Sequence, residues 1–442
     1  MRKALLWAAL VGCVACPLGA SADDWPQWLG PQRDSVWRET DVVRTIPPDG
    51  LNVVWRVPVG LGYSGPAVEN GRVYVMDFVP SAGEVRNSPG ARIKLQGLER
   101  VLCLESATGS LVWKHEHKRT YELSYPSGPR CTPTVADGKV YALGAEGDLC
   151  CLDAGTGKPI WQRDLKTEYK TESPIWGFAA HPLVDGDLLY CIVGGEGSVA
   201  VAFDKNTGKE VWRALSCGTA GYCPPTMIEH ANVKQLLIWH PESLNSLNPL
   251  TGEVYWTLPL KPSYEMSITV PRKVGDYLFV SGIGKVGALV ELDRDKPAAE
   301  IAWRGTPKTA VYSCNATPYI QDGVIYGVDC GLGAVMAARG EAGERLGETF
   351  EPTTGGTRRA SHGTAFLVKN GDRFFLFSET GDLIIAKLTP EGYDEIGRFH
   401  VLDPTNECFG RSVVWSHPAF AERSLFARND KELVRVNLAV KP

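Results

Sequence analysis

Ala202-Phe203-Asp204-Lys205-Asn206-Thr207-Gly208-Lys209-Glu210-Val211-Trp212 is the clearest copy of a pattern that recurs along this chain. Cys151 to Trp161, Cys103 to Trp113 and Ser246 to Trp256 keep the Thr-Gly and the Trp at the same spacing. Val290 to Trp303 is a looser copy with a longer turn, Ala337 to Gly347 has lost both Thr and Trp, and Ala386 to Ile396 keeps only Gly392 and the alternation. Each copy reads as an apolar strand ending at an Asp that caps the turn. A glycine there takes the left-handed conformation, and a returning strand carries the Trp. The indole is placed to pack against a neighbouring repeat.

A second element lies between these motifs. Ala67 to Tyr74, Thr134 to Tyr141, Leu183 to Tyr190 and Tyr319 to Tyr326 each set Asn-Gly or Asp-Gly between alternating apolar residues, the strongest short-range hairpin signal. Hairpin and motif together make units of four strands, repeating every 40 to 50 residues or so, which predicts propeller blades. Trp113, Trp161, Trp212, Trp256, Trp303, Gly347 and Ile396 mark seven outer strands. The segment from Val413 to Leu438 supplies three more and stops. Val53-Val54-Trp55-Arg56-Val57 is expected to add the missing fourth and so remove an open sheet edge. The sequence therefore predicts an all-β, eight-bladed β-propeller of four-stranded antiparallel blades, closed by an N-terminal strand.

Met1 to Lys3 followed by the apolar Ala4 to Leu18 and by Ala20-Ser21-Ala22 reads as a signal peptide over 1–22, too short to span a membrane. An N-terminal segment (23–50) and the propeller (51–442) follow. In the alternative reading, Leu10-Val11-Gly12-Cys13 is a lipobox and Cys13 carries a lipid anchor. Either way the chain is expected to be exported, to the periplasm or cell envelope, with no transmembrane span. The net charge of −5, more negative still once Arg2 and Lys3 leave, gives no electrostatic basis for binding nucleic acid. Cys103 and Cys151 occupy one repeat position, which points to packing rather than to a disulfide framework.

The recurring Asp-x-x-Thr-Gly-Lys-x-x-Trp resembles the pyrroloquinoline-quinone (PQQ)-like propeller repeat family over nearly the whole chain after the leader. Trp25-Pro26-Gln27-Trp28-Leu29-Gly30-Pro31 is similar to the opening of an exported bacterial subgroup described as BamB-like. The resemblance implies a binding or scaffold protein of cell-envelope assembly, with an envelope protein or a small-molecule ligand as partner and no cofactor. The alternative that it implies is a redox-active dehydrogenase. Cofactor-binding members hold PQQ with calcium over the axis, beside an aspartate base and often a disulfide between adjacent cysteines. Cys150-Cys151 is such a pair, but it precedes Leu152-Asp153 within a strand, where neighbouring side chains face opposite ways. His115 and His117 share a strand face, and with no third ligand in view they read as an exposed strand edge; no metal site is expected.

Aligning the inner strands on Pro66, Pro133, Pro182, Pro225, Pro271, Pro318, Ala365 and Pro418 picks out a candidate binding surface. Three residues earlier stand Tyr63, Arg130, Ala179, Tyr222, Ile268, Asn315, His362 and Trp415; one residue earlier, His181 and His417 are the notable members. Residues two apart on a strand share a face, so both sets are expected at the channel mouth. Trp176, in the loop 171–180, and Arg411 are further candidates for that rim. Packing of the strand starts is the competing reading, and Arg130 fits it least, since a buried guanidinium needs partners. Residues 79–98 form the one notable insertion.

Overall fold

The computed structural model describes residues 23–356 and 358–440; the leader, its cleavage positions and Cys13 lie outside them. Eight four-stranded antiparallel sheets follow one another along the chain. Blades one to seven span 67–123, 134–164, 183–214, 226–259, 272–304, 319–349 and 365–400. The seven marker residues all lie on fourth strands, from Leu111–Leu123 to Gly392–His400. Blade eight combines Ala419–Ala421, Ser424–Arg428 and Glu432–Asn437 with Asn52–Pro58 as its outer strand, in a register running from Asn52 opposite Asn437 to Pro58 opposite Glu432. The N-terminal strand therefore closes the ring. Residues 79–98 lengthen the middle strands of blade one into a long hairpin (Arg72–Gly83 and Ile93–Glu105), and a short extra hairpin, Asn406–Cys408 with Arg411–Val413, sits between blades seven and eight.

The repeat motif turns out to be shared between neighbours. Asp204 accepts from the Thr207 amide and hydroxyl, both at 2.8 Å, which builds the turn. Gly208 then presents a bare backbone to the Trp of the preceding blade: a Cβ there would lie 2.6 Å from the Trp161 ring. The indole Nε1 of Trp161 donates to Lys205 O at 3.0 Å, Trp113 to Ala154 O at 2.9 Å, Trp212 to Pro249 O at 2.8 Å, and Trp55 to Ser106 O at 2.7 Å. Thr-Gly is thus a platform for the previous blade's indole. Trp256 departs from the pattern. Blade five lacks a Thr-Gly turn, and this indole donates instead to Gln235 of its own blade at 3.1 Å.

The N-terminal segment crosses one end of the ring. Trp25 bridges to Val68 of blade one, Val36 to Lys369 of blade seven, and Val42 to Ala439 beyond blade eight. Between these anchors the half-buried Arg33 donates to the carbonyls of Pro182 (3.1 Å), His181 (3.4 Å) and Pro225 (3.5 Å), just before the inner strands of blades three and four. Arg272 donates to Pro318 O at 2.9 Å, Arg33 O at 3.1 Å and Ser35 Oγ at 3.2 Å. Burial alone lowers both guanidinium groups to about 10. The carbonyls at the strand starts satisfy their donors, and the segment becomes a plug.

Candidate functional site: the axial funnel

A cavity of about 1120 Å³ opens on the side of the ring away from the plug. All eight residues three positions before the aligned Pro66, Pro133, Pro182, Pro225, Pro271, Pro318, Ala365 and Pro418 line it: Tyr63, Arg130, Ala179, Tyr222, Ile268, Asn315, His362 and Trp415. Of the residues one position before, His181, Pro224, Thr317 and His417 reach it. Trp176 lines it too, 5.7 Å from Tyr222 between ring centroids. These side chains precede the strands rather than lie within them, in extended segments converging on the axis. Arg411 is the one candidate that does not line the cavity. Its guanidinium is spent on buried Glu379, at 2.7 and 3.1 Å, and the same carboxylate accepts from Trp415 Nε1 at 3.3 Å.

The floor comes from the N-terminal segment, where the repeat alignment had nothing to say. Trp28 stacks on His181 with ring centroids 4.6 Å apart and planes 10° apart, and meets His417 edge-on at 5.7 Å. Arg33 lies over the other part of this cluster, 5.5 Å from the Trp28 ring. Trp28 is buried, yet its Nε1 finds no acceptor among the described protein atoms. The Thr132 amide donates to His181 Nδ1 at 2.9 Å, so a neutral His181 carries its proton on Nε2. Burial, then His417 and Arg33, hold His181 well below the ordinary histidine range, and burial pulls His417 down to about 3. Both imidazoles are neutral hydrogen-bonding and stacking groups at neutral pH.

Arg130 lines the cavity with part of its guanidinium held by backbone carbonyls. It donates to Gly128 O, to Tyr125 O at 2.5 Å and to Ser124 O at 3.1 Å, and its guanidinium lies 5.1 Å from the Tyr63 ring centroid. It staples the loop before its own strand. Arg130 thus stays in the lining with part of its fork held by loop carbonyls, whereas Arg411 lies outside the lining on Glu379. The walls are chiefly aromatic, with Tyr125 and Phe409 joining Tyr63, Trp176, Tyr222 and Trp415. Lys261 and Glu265 bring one charge of each sign, and Pro89 and Gly90 from the tip of the long hairpin complete the lining. That tip is tied across to the extra hairpin, with Asn87 donating to Asn406 Oδ1 and, at 2.7 Å, to Glu407 O.

Two clusters unite residues from different blades. Cys314 and Cys330 are buried, and His362 places Nδ1 3.3 Å from Cys330 Sγ. Hydrogen bonds from Cys314 and then from His362 pull the Cys330 thiol down to about 6. Elsewhere, His117 Nε2 sits 3.8 Å from buried Glu99 and 3.7 Å from Asp148 of blade two. The sequence showed no third ligand beside His115 and His117 because Glu99 and Asp148 come from adjoining strands. His115 is turned instead toward Gln162, at 3.2 Å. Asp148 is also paired with Arg119 at 2.9 Å, so with His117 protonated the charges of this second group balance.

Among the described residues, the lining does not fit a calcium-bound quinone carboxylate. Such a group needs free cations and several oxygen ligands at one point. Arg130 and Arg411 are committed, and Glu265 is the one carboxylate in the lining. Cys150 and Cys151 are both free, packed into different clusters on opposite sides of their sheet, and neither lines the funnel.

Residues 98–226 match a family model described as outer membrane protein assembly factor BamB. No curated protein matches the chain. Among solved structures, BamB from Moraxella catarrhalis is 17% identical, with a TM-score of 0.57 over 87% of this chain and 97% of that one. A quinohemoprotein alcohol dehydrogenase from Comamonas testosteroni is 13% identical, with a TM-score of 0.61 over 95% and 81%. A computationally designed protein, Ika8, is 9% identical, with a TM-score of 0.53 over 88% and 100%. An assembly factor, an enzyme and a designed ring share this architecture, so the fold by itself selects no function. The in-register repeats and the eight closed blades make this chain an eight-bladed β-propeller similar in fold to the PQQ-like repeat proteins, and residues 98–226 carry the family match.

Proposed function

We propose that this chain is an exported binding scaffold that captures an extended peptide segment of a cell-envelope protein in its axial funnel. One observation carries the reading. The cavity is lined by many aromatic rings, while Arg411 is paired with Glu379 outside the lining and Arg130 is partly held by loop carbonyls. Such a surface favours apolar and aromatic side chains over an anion. The size agrees, since about 1120 Å³ exceeds the roughly 300–1,000 Å³ of small-molecule pockets. The match to an outer-membrane assembly factor points to the same class of partner, whose strands alternate apolar and polar residues. Among the described residues no helix is long and apolar enough to cross a membrane. Export rests on the leader, with Cys13 as the anchor if the lipobox is used.

The test is calorimetric titration of the mature protein with a synthetic peptide alternating aromatic and polar residues. Binding is expected, weakened at least about tenfold, or 1.4 kcal/mol, by Trp176→Ala and Tyr222→Ala but not by His115→Ala on the outer strand. Peptide binding unchanged by both funnel substitutions would refute the reading. A rise in melting temperature with PQQ and calcium, with dye reduction in the presence of an alcohol, would replace it with the dehydrogenase alternative.

A further inference from the structure

We infer that Cys314, Cys330 and His362 form a binding site for one thiophilic d10 metal ion, Zn²⁺ or Cu⁺, on the funnel wall between blades six and seven. Their three donor atoms lie within 4.8 Å of one another. A tetrahedral zinc with bonds of about 2.3 Å to sulfur and 2.0–2.1 Å to nitrogen holds those ligands roughly 3.5 Å apart. Cys330 Sγ and His362 Nδ1 are 3.3 Å apart, so little movement is needed to admit the ion.

The backbone fixes all three donors. Cys314 stands one residue before the funnel-lining Asn315, at the start of blade six. Cys330 follows the second strand of that blade, and its amide donates to Tyr312 O at 2.7 Å. His362, from blade seven, donates its amide to Cys330 O at 2.8 Å and holds a left-handed φ of 58°. Its ring stacks on Phe409 with planes 2° apart, which limits its rotation. Two thiolates and one imidazole select a soft or borderline ion over calcium or magnesium. His362 lines the cavity, so the three-ligand site borders the funnel, and three protein ligands leave a tetrahedral ion one further position. Binding displaces up to two thiol protons and involves no redox step.

The mature protein, with thiols reduced and the reductant removed anaerobically, is titrated with Co²⁺ and then Zn²⁺, and in a separate arm with Cu⁺ against a chromophoric chelator. One equivalent of Co²⁺ should give a thiolate charge-transfer band and the intense visible bands of a tetrahedral ion, both bleached by Zn²⁺. Cys314→Ser and Cys330→Ser should abolish the charge-transfer band. His362→Gln, which leaves the thiols in place and serves if the serine variants misfold, should weaken binding at least about tenfold. The arm with the tighter binding identifies the ion. The inference fails if the reduced protein binds neither Zn²⁺ nor Cu⁺ stoichiometrically, or if His117→Ala rather than Cys330→Ser removes the signal. A Cys314–Cys330 disulfide persisting in protein purified from the envelope would also overturn it. Peptide titration of the same variants reads the funnel separately, so either proposal can fail alone.

Discussion

Trp28 and His181 stack with their planes 10° apart, and this contact joins a segment outside the repeats to a residue at a repeat position. It makes the floor of the funnel a neutral, water-poor cluster. His417 completes it, 4.0 Å from Phe366 between ring centroids.

That cluster should make the protein acid-sensitive. His417 is held at about 3 and His181 well below 6.5, whereas both titrate near 6.5 when unfolded. For a depressed base the unfolded chain binds more protons below that value, so this stabilisation is complete above about pH 6.5 and is lost as the pH falls toward 3. His417→Gln removes one of the two groups. Its melting temperature should fall less steeply between about pH 6.5 and pH 4 than that of the wild type. Parallel curves would show that His417 titrates alike in the folded and unfolded chain.

The shared motif makes a paired prediction at one blade boundary. Trp113→Ala should cost roughly 3–5 kcal/mol, as loss of a large buried aromatic does. Gly157→Ala should destabilise by about 1–3 kcal/mol, because its Cβ would lie 2.5 Å from the Trp113 ring and its φ is +70°. Because both act on one contact, the double variant should lose less than the sum. Full additivity in chemical denaturation would separate the two residues.

Gly347, opposite Ala337, stands where blades one to five and blade eight carry an indole and where the repeat alignment sets Ile396 in blade seven. The boundary between blades six and seven should therefore open first. Hydrogen exchange is expected to be faster in Arg345–Thr349 than in Glu210–Ala214, where Trp212 docks. The reverse order would mean that other contacts hold the boundary.

Arg130 should behave as a structural group. Its bonds to three backbone carbonyls predict that Arg130→Ala costs roughly 2–4 kcal/mol in stability. Arg130→Lys should rescue little, because an ammonium cannot reproduce the planar fork. Thermal melts and proteolysis of the loop at 124–128 report this directly. Full stability with lost peptide binding would instead make Arg130 a ligand contact.

Removal of residues up to Pro58 should leave blade eight with a bare edge and take away the plug. Aggregation or a large loss of heat resistance is expected by light scattering and thermal melting. A truncated chain as soluble and stable as the mature form would show that the Trp55 strand is dispensable.

Repeat position explains what could be read from the amino acids. The hairpins at Asn70-Gly71 and Asp137-Gly138, the outer strands and the Trp55 seam follow from local spacing, and rotation about one axis gathers Tyr63, Tyr222, His362 and Trp415. Trp28 has no counterpart in other blades, so no alignment could place it. The roles of Arg130 and Arg411 depend on the carbonyls of 124–128 and on Glu379, which are set by loop geometry rather than by the repeat. Cys314, Cys330 and His362 sit at three different positions within two blades. Their meeting is visible only in three dimensions.

The seam in blade eight also sets an order of events. The strand at Asn52–Pro58 is made early, but Arg56 must wait for Glu432, 376 positions later, before its ion pair can form. Contacts so distant along the chain are slow to form. Until blade eight has been made, seven sheets can each pair within themselves while the ring stays an open arc with sticky ends. Arrested translation or stalled export would therefore leave an arc able to join with another arc rather than with itself. A circular permutant that begins after Pro58 and carries the seam strand behind Asn437 would shorten that wait, with the same contacts in the finished ring.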